Sequence, residues 1–247
     1  MHPRASFPSL RCILSITFSL FAHSAPLSST AFASPQDPTS CANSDQDCIK
    51  QALHSCAREN KKNLGYDGAR QVMFQKVDVY LSPSGERVVK SVYSPDVFPV
   101  GVGIPRTGVN TEHTWPQTFL KKAGVFDEAR ADLFHIFPSE IKINGVRGSY
   151  PFKECNHDSN IEGSMCGSSG FEPPEEHKGI VARAMFYMSI TYSMHIDNEQ
   201  ENTLRNWAKT HVVSNSEVQR ADKIKEEQGN RNPFIDHPEW IEMVKDF

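Results

Sequence analysis

The spacing of apolar residues predicts helices near the start of the mature chain. Segment 47–61 places Ile49, Leu53 and Cys56 on one helical face, as expected of a helix that packs against a core. Residues 68–80 lack the strict alternation of a half-buried strand, which favours a second helix there. The first part of the mature chain is therefore predicted to contain two helices.

The C-terminal third predicts three more helices, with local signals at their ends. The first follows the prolines at 173–174, with acidic residues in its first turn, and a shorter helix covers 199–209. A third begins at Ser214, which has a glutamate three residues later, and stops near Gly229. The apolar stripe of the first helix consists of Val181, Ala184, Met185, Met188 and Tyr192.

Strand signals lie between these helical regions. The β-branched run in 85–94 predicts a strand, and the prolines and glycines of 95–110 predict a loop. Glu112 and His113 are placed in a further strand, where neighbouring side chains point to opposite faces, so adjacency alone does not bring both into one site.

A second strand and a helix are expected next. The apolar run 132–137 predicts the strand, which Pro138 is expected to end. Ser139 is placed as the cap of a helix over 140–147. On that helix Glu140, Asn144 and Arg147 would share one polar face. The predicted class is α+β, a mostly helical single domain.

The first 33 residues have the pattern of a secretory signal peptide. Arg4 precedes the apolar block 12–22, and small residues follow, with cleavage expected after Ala33 or nearer Ser24. An uncleaved membrane anchor is the alternative, but the apolar block is shorter than a spanning helix requires. The prediction is a mature domain over 34–247, secreted or periplasmic, without stable membrane association after cleavage.

The charge of the mature chain limits how it could bind a polyanion. The full sequence has 26 basic and 30 acidic residues. Two arginines lie before Ser34 and no acidic residue does, so the mature chain has 24 basic and 30 acidic residues and a formal charge of −6. This charge argues against nonspecific binding of duplex over the whole surface. A nucleic acid would need a local basic groove, for which Arg130 and Lys142 are candidates.

Five cysteines remain in the predicted mature chain, and secretion favours disulfides. Cys155 and Cys166 flank a polar loop and are the preferred pair. Two of Cys41, Cys48 and Cys56 are expected to pair, and the sequence does not decide which. A zinc site is the alternative, but the spacings typical of zinc ligands are missing.

The segment 111–150 concentrates groups suited to metal-assisted cleavage of a phosphodiester. It combines oxygen ligands, an imidazole that titrates near neutrality and a cation for a phosphate oxygen. Each residue could also have no catalytic function. Glu112 could be a solvated surface carboxylate, for example, and His113 a structural imidazole. Asp132 is interpreted as support for a neighbouring histidine or the backbone. His135 is left between a supporting role and core packing.

Several blocks of this sequence, in order, resemble the secreted and periplasmic endonuclease I family of bacteria, whose members are ββα-metal (His-Me finger) nucleases. The blocks are EHTWP, DLFHIFPSEIKINGVRGSYPF and FEPPEEHKGIVARAMFYM, with LGYDGAR before them and ADKIKEEQGNRNPFIDHPEW after them. The chain departs from many relatives by carrying Phe134 before His135 where two histidines are common, and Ser149 within its RGS run.

The resemblance implies a function and a set of site residues. His113 would be the general base, Glu112 and Asn144 would bind one divalent ion, usually Mg²⁺ with Mn²⁺ or Ca²⁺ as alternatives, and Arg147 would contact phosphate. The expected activity is hydrolysis of DNA with little sequence preference and 5′-phosphate products, by a monomer, with RNA left open as a second substrate. The competing hypotheses are a nucleic-acid-binding or adhesion module without catalysis and a secreted metal-binding structural domain.

Overall fold

The computed structural model describes residues 37–155 and 162–247, so the predicted signal peptide lies outside the described residues. The helices are α1 (Gln46–Arg58), α2 (Tyr66–Val72), α3 (Gln117–Lys122), α4 (Phe126–Ala129), α5 (Ile141–Arg147), α6 (Glu175–Tyr192), α7 (Asn198–Thr210), α8 (Asn215–Gln228) and α9 (Pro233–Asp236). The strands are β1 (Tyr80–Leu81), β2 (Arg87–Lys90), β3 (Val97–Pro99), β4 (Val109–His113), β5 (Ile136–Glu140), β6 (Ser164–Met165) and β7 (Phe171–Glu172). Short 3-10 helices cover Pro38–Ser40 and Pro238–Met243, and a π-helix covers Met73–Val77.

The described strands form three small antiparallel sheets, so the class is α+β, as predicted. One sheet has the order β1-β2-β3, and the other two are the pairs β4-β5 and β6-β7. Helices α1 and α7 pack against the long helix α6. Within the described ranges, none of the helices has the length and apolar character needed to cross a membrane.

The helix predictions that rested on spacing and caps are confirmed. α1 buries the predicted apolar face, and α2 with the π-helix covers 66–77, so the helix predicted over 68–80 ends three residues early and Tyr80 begins β1. Ser214 accepts the backbone N–H of Glu217, and Gly229 ends α8 with a φ of 95°, a left-handed conformation that favours glycine.

Helix α6 is buried on nearly all sides, beyond its predicted stripe. Its charged residues Lys178 and Arg183 are buried as well, and each is held by carboxylates. Arg183, for example, donates from Nε and Nη2 to the two oxygens of Glu217, at 2.7 and 2.6 Å. A helix surrounded by other elements needs such partners, because an unpaired buried charge is costly.

The predictions for residues 85–110 need one correction. β2 lies inside the predicted strand 85–94, which confirms it in shorter form. The segment 95–110, expected to be a loop, contains β3, and β4 begins at its end. Val89 lies opposite Phe98 in the register, so a strand of only three residues completes this sheet despite the nearby prolines and glycines.

The second predicted strand was placed too early. The strand is Ile136–Glu140, whereas the run from Asp132 forms a turn in which the Asp132 carboxylate accepts the backbone N–H of Phe134, at 3.1 Å. Pro138 lies inside β5 rather than ending it, and its carbonyl accepts the backbone N–H of Val92, at 3.0 Å. A proline is tolerated there because its strand pairs with one other strand only, β4.

The predicted helix cap at Ser139 was also wrong. Ser139 is buried in β5, and its hydroxyl donates to the carbonyl of Glu140. Helix α5 begins at Ile141, with Glu140 at the cap position and no side-chain cap bond. The helix nevertheless ends at Arg147, as predicted, where Gly148 adopts a φ of 53°.

The described part of the chain contains two disulfides. Cys155 and Cys166 are bonded, which confirms the preferred pair. Cys41 pairs with Cys48, and Cys56 remains a buried thiol in α1. This settles the choice that spacing left open.

Candidate active site

Strands β4 and β5 and helix α5 together position the predicted site. Glu112 and His113 end β4, opposite Phe137 and Ile136 of β5. Helix α5 follows β5 directly and is bonded to β4 through Asn144. The local order is therefore strand, strand, helix, with the acid and imidazole beside the helix.

Asn144 binds the backbone and a side chain of β4. Its amide nitrogen donates to Asn110 Oδ1 at 2.7 Å and to the carbonyl of Thr111 at 3.2 Å. Because the nitrogen is fixed towards the strand, the amide oxygen is directed away from these two acceptors. Asn144 is partly exposed, so that oxygen is an available ligand atom at the surface of the site.

Glu112 is a buried carboxylate with few donors. It is 2% exposed, and its Oε1 accepts the hydroxyl of Tyr93 at 2.8 Å and lies 3.4 Å from Nη1 of Arg147. Burial raises the pKa of Glu112, and the opposing effects of Arg147 and Tyr93 do not cancel that shift. The site thus holds a carboxylate whose negative charge is incompletely compensated.

Arg147 lies inside this arrangement rather than on a polar face. It is 1% exposed, its Nη1 donates to the carbonyls of His113 and Gly148, and its Nη2 donates to the carbonyl of Thr114 at 2.6 Å. Its ion-pair partner is Glu112, not Glu140. The geometry favours a guanidinium that fixes the end of β4, since a phosphate would have to displace these acceptors.

His113 has a contact at each ring nitrogen, which together favour one tautomer, and the Thr111 carbonyl is a further backbone acceptor for the ring. Nε2 lies 3.2 Å from the carbonyl of Arg130, and Nδ1 lies 3.3 Å from the side-chain amide nitrogen of Gln117. A carbonyl only accepts, so in the neutral ring Nε2 carries the hydrogen and Nδ1 keeps the lone pair. Burial, followed by the neighbouring His135, lowers the pKa of His113 to about 3, so the ring is uncharged at neutral pH.

His135 and Asp132 lie behind His113. The two imidazole rings meet edge to face with their centroids 5.4 Å apart, and Nε2 of His135 bonds to the carbonyl of Ala129 at 2.7 Å. Burial lowers the pKa of His135 to about 4. Asp132 accepts from the hydroxyls of Tyr187 and Tyr192, both at 2.9 Å. Asp132, interpreted as support for a histidine or the backbone, and His135, whose role was left open, are thus both buried, and His135 contacts the ring of His113.

Charged and aromatic residues surround the open side of His113. The ring of Tyr66 lies 5.6 Å from that of His113, and the guanidiniums of Arg70 and Arg130 lie over the Tyr66 ring. Lys142, the other predicted nucleic-acid contact, is exposed on α5. The cations that solvent reaches are therefore on the surface next to the site.

A cluster of three glutamates is a second candidate metal site. Among the described residues, Glu154, Glu172 and Glu175 bring carboxylate oxygens within 4.8 Å of one another. The ammonium of Lys178 lies 2.8, 2.7 and 2.6 Å from these three carboxylates, respectively. A cation already occupies their centre, so this group does not fit a metal ion.

Several site residues were missed by sequence reasoning. Tyr93 reaches Glu112 from 19 residues away, and Tyr66 and Arg70 come from α2. The LGYDGAR block contains Tyr66 and Arg70, so the sequence singled out their segment but did not show that they lie next to His113. Gln117 follows the EHTWP block directly and lies four positions after the histidine that it contacts.

Comparisons with known proteins agree with this location. The model of the family described as Endonuclease I matches residues 46–239, which include both strands and the helix of the site. The chain is 31% identical over 157 residues to an extracellular ribonuclease of Bacillus amyloliquefaciens, covering 55% of this chain and 53% of that protein.

Other relatives carry deoxyribonuclease or endonuclease names. A periplasmic deoxyribonuclease of Aeromonas hydrophila is 29% identical over 121 residues, covering 47% of this chain and 51% of the relative. Endonuclease-1 of Buchnera aphidicola subsp. Baizongia pistaciae is 28% identical over 117 residues, covering 44% and 48% of the two chains. This chain spans about half the length of the curated relatives that it matches.

Proposed function

The chain belongs to the Endonuclease I family, and we propose that it is a secreted or periplasmic endonuclease that hydrolyses DNA and RNA phosphodiester bonds with the help of one divalent metal ion. The substrate proposal draws on relatives named both ribonuclease and deoxyribonuclease, and the location on relatives named extracellular or periplasmic. The observation that carries it is that one strand end, at Glu112 and His113, holds both a buried, undercompensated carboxylate and an imidazole that is contacted at both ring nitrogens.

The donor atoms of the site fit a hard divalent cation. Tyr93 and Arg147 both contact Oε1 of Glu112, so Oε2 is the oxygen we assign to the ion. The Asn144 amide oxygen, directed away from β4, would be the second ligand. Two protein oxygens suit Mg²⁺, which retains several waters, with Mn²⁺ and Ca²⁺ as alternatives. When bound, the ion would neutralise charge that develops on the scissile phosphate and on the leaving 3′ oxygen.

His113 would act as the general base through Nδ1. The Arg130 carbonyl accepts the hydrogen on Nε2, so the Nδ1 lone pair would take the proton from the attacking water, which would have to replace the Gln117 amide nitrogen that lies 3.3 Å from Nδ1. The lowered pKa keeps the ring in the accepting form at neutral pH but makes it a weak base. The negative charge of a bound phosphate would raise that pKa during the reaction.

Arg147 and Tyr93 would position the carboxylate rather than touch the substrate. Arg147 links the Glu112 side chain to the carbonyls of His113 and Thr114, which fixes the direction of the strand end. Ligands must be held closely for efficient catalysis, and buried bonds of this kind provide that rigidity. Phosphate contacts are assigned instead to the half-buried Arg130 and the exposed Lys142. Attack on the phosphorus with loss of the 3′ oxygen leaves 5′-phosphate ends.

Purified mature protein tests this proposal with duplex DNA, single-stranded DNA and RNA, each with Mg²⁺ and with excess EDTA. We expect cleavage of DNA and RNA that stops on chelation. His113→Ala should lower the cleavage rate by about 10²- to 10⁴-fold, the usual contribution of a general base. Full activity of His113→Ala with an unchanged melting temperature would refute the base assignment, and unchanged cleavage in EDTA would refute the metal.

A further inference from the structure

We propose that a row of alternating cations and aromatic rings beside His113 binds the phosphate backbone of one nucleic-acid strand next to the cleaved bond. This cation–aromatic row consists of Arg70, Tyr66, Arg130, Phe126 and Lys121. The inference rests on the proposed nuclease function and names the surface that holds the substrate beyond the reacting phosphate.

Contacts between rings and cations are continuous along the row. The guanidinium carbons of Arg70 and Arg130 lie 5.3 and 5.0 Å from the centre of the Tyr66 ring. The guanidinium of Arg130 also lies 4.5 Å from the ring centre of Phe126, on which the ammonium of Lys121 lies at 4.8 Å. The row therefore runs from α2 across α4 to α3.

The row starts at the reacting group. The ring of Tyr66 lies 5.6 Å from the ring of His113, and the main-chain carbonyl of Arg130 lies 3.2 Å from His113 Nε2. One residue of the row thus orients the base through its backbone while its side chain points along the surface. A strand that places a phosphate at His113 would pass over these side chains.

The rings hold the cations in place, and the cations meet the ligand. The guanidinium of Arg130 lies between two rings, which restricts a side chain that otherwise loses much rotamer freedom on binding. Arginine guanidiniums bind phosphate through two parallel hydrogen bonds. The cations already lie over the rings of Tyr66 and Phe126, so the row is suited to phosphate rather than to stacking of bases.

Arg130 has donor capacity left within the described part of the chain. Its buried Nε has no hydrogen-bond partner there, and its single ion pair is with Asp127, 3.2 Å from Nη2. The Asp127 side chain is 89% exposed, and such a surface pair contributes only about 0–1 kcal/mol. Arg70 is likewise paired with an exposed aspartate, Asp67, at 3.5 Å. A phosphate can therefore replace either aspartate at small cost.

Local charge complements the ligand although the chain as a whole is acidic. The three cations of the row exceed the two aspartates that pair with them, and Lys122 adds a fourth cation over the exposed ring of Phe119. A predicted mature charge of −6 repels a polyanion elsewhere on the surface. The row therefore gives a nucleic acid a preferred approach that needs no base sequence.

Binding measured without catalysis tests the row directly. Wild-type protein in excess EDTA is titrated into a fluorescently labelled single-stranded oligonucleotide, and anisotropy gives Kd from low to moderate salt. Each phosphate contact contributes about 0.7 to the slope of log Kd against log salt for a single strand. Arg130→Gln keeps the backbone carbonyl on His113, and we expect it to reduce that slope by about one contact. The matched control is Lys209→Gln, an exposed cation near the end of α7.

Variants of the ring separate binding from folding. Tyr66→Phe keeps the ring and should bind like wild type, whereas Tyr66→Leu removes the platform and should weaken binding several-fold at unchanged melting temperature. The row is refuted if Arg130→Gln leaves the salt slope unchanged, if Tyr66→Leu binds like Tyr66→Phe, or if Lys209→Gln weakens binding as much as Arg130→Gln. It is also refuted if the wild type shows no salt-dependent binding.

Failure of the row and failure of the nuclease proposal give different results. If the wild type cleaves a plasmid in Mg²⁺ while Arg130→Gln retains the wild-type salt slope, the row is wrong and the nuclease proposal stands. If the wild type does not cleave in Mg²⁺, Mn²⁺ or Ca²⁺, the nuclease proposal fails whatever the slope shows.

Discussion

Asp132 and Glu112 are both buried carboxylates, yet their pKa values move in opposite directions. Burial raises the pKa of each. For Asp132 the ammonium of Lys61 and a set of hydrogen-bond donors outweigh that effect, and the net pKa is lowered. For Glu112 a guanidinium, one hydroxyl and the backbone N–H of His113 do not outweigh it, and the net pKa is raised.

The number and placement of donors explain the difference. Asp132 accepts from Gln228 and the backbone of Phe134 on one oxygen, and from the hydroxyls of Tyr187 and Tyr192 on the other. Glu112 has its two side-chain donors on the same oxygen. A saturated buried carboxylate joins elements of the fold, whereas an undersupplied one is suited to binding a further cation.

Replacement of Asp132 should have the largest effect on stability. Asp132→Asn makes the buried donors around this side chain face a neutral amide instead of a carboxylate. We expect the free energy of unfolding to fall by about 3 kcal/mol or more. The lowered pKa means that this stabilisation is present above the ordinary pKa of an aspartate and is lost only as the pH falls through the folded pKa. Urea denaturation at pH 7 measures it. Asp222→Asn, at an exposed ion pair, is the control and should change stability by less than about 0.5 kcal/mol.

Glu112→Gln should give the opposite pattern. We expect cleavage to fall at least about 100-fold, as for loss of other groups that stabilise developing charge. The free energy of unfolding should fall by less than in Asp132→Asn, because Arg147 loses its buried counter-ion but keeps three carbonyl acceptors, and a neutral amide is easier to bury than an undercompensated carboxylate. Mg²⁺ should raise the melting temperature of the wild type but not of the variant. A large loss of stability in Glu112→Gln would remove the distinction between the two carboxylates.

A third class of buried group, the histidines that are neutral in the folded protein, should make the fold less stable in acid. Burial lowers the pKa of His177 to about 3, with help from Arg220 and Lys90. The folded pKa lies below the unfolded value, so stability is full above pH 6.5 and falls as the unfolded chain takes up protons at lower pH. One such histidine costs about 2 kcal/mol between pH 6.5 and pH 5. His177→Phe should flatten melting temperature against pH in this window, and an unchanged curve would contradict the assignment.

Gln117→Ala should have the smallest effect. Its amide lies 3.3 Å from Nδ1 of His113, the atom assigned to the attacking water, so the side chain steadies the ring without taking part in the reaction. We expect kcat to fall about 3- to 10-fold, equivalent to one neutral hydrogen bond, with the melting temperature unchanged. Gln117→Asn, whose shorter side chain does not reach Nδ1, should match Gln117→Ala. Activity equal to wild type in both variants would show that the contact does not matter.

Local patterns in the sequence determined most of the helices, the order of the strand–strand–helix segment and the Cys155–Cys166 disulfide. Helical periodicity, the Ser214 cap and the Gly229 stop act within a few residues, so the sequence predicts them without the fold. The same segment let Glu112 and Asn144 be predicted in one site, because strand β4 and helix α5 lie within about forty residues of each other along the chain, with α3, α4 and β5 between them.

Tertiary structure alone decided what each side chain contacts. Arg147 became a buried partner of Glu112, and Tyr93 reached the same oxygen from another loop. Residues 132–135 form a turn because the Asp132 carboxylate accepts hydrogen bonds from the backbone N–H of Phe134 and from two tyrosine hydroxyls of α6. The pKa shifts follow from these contacts, since burial and neighbouring charge exist only once distant segments pack together.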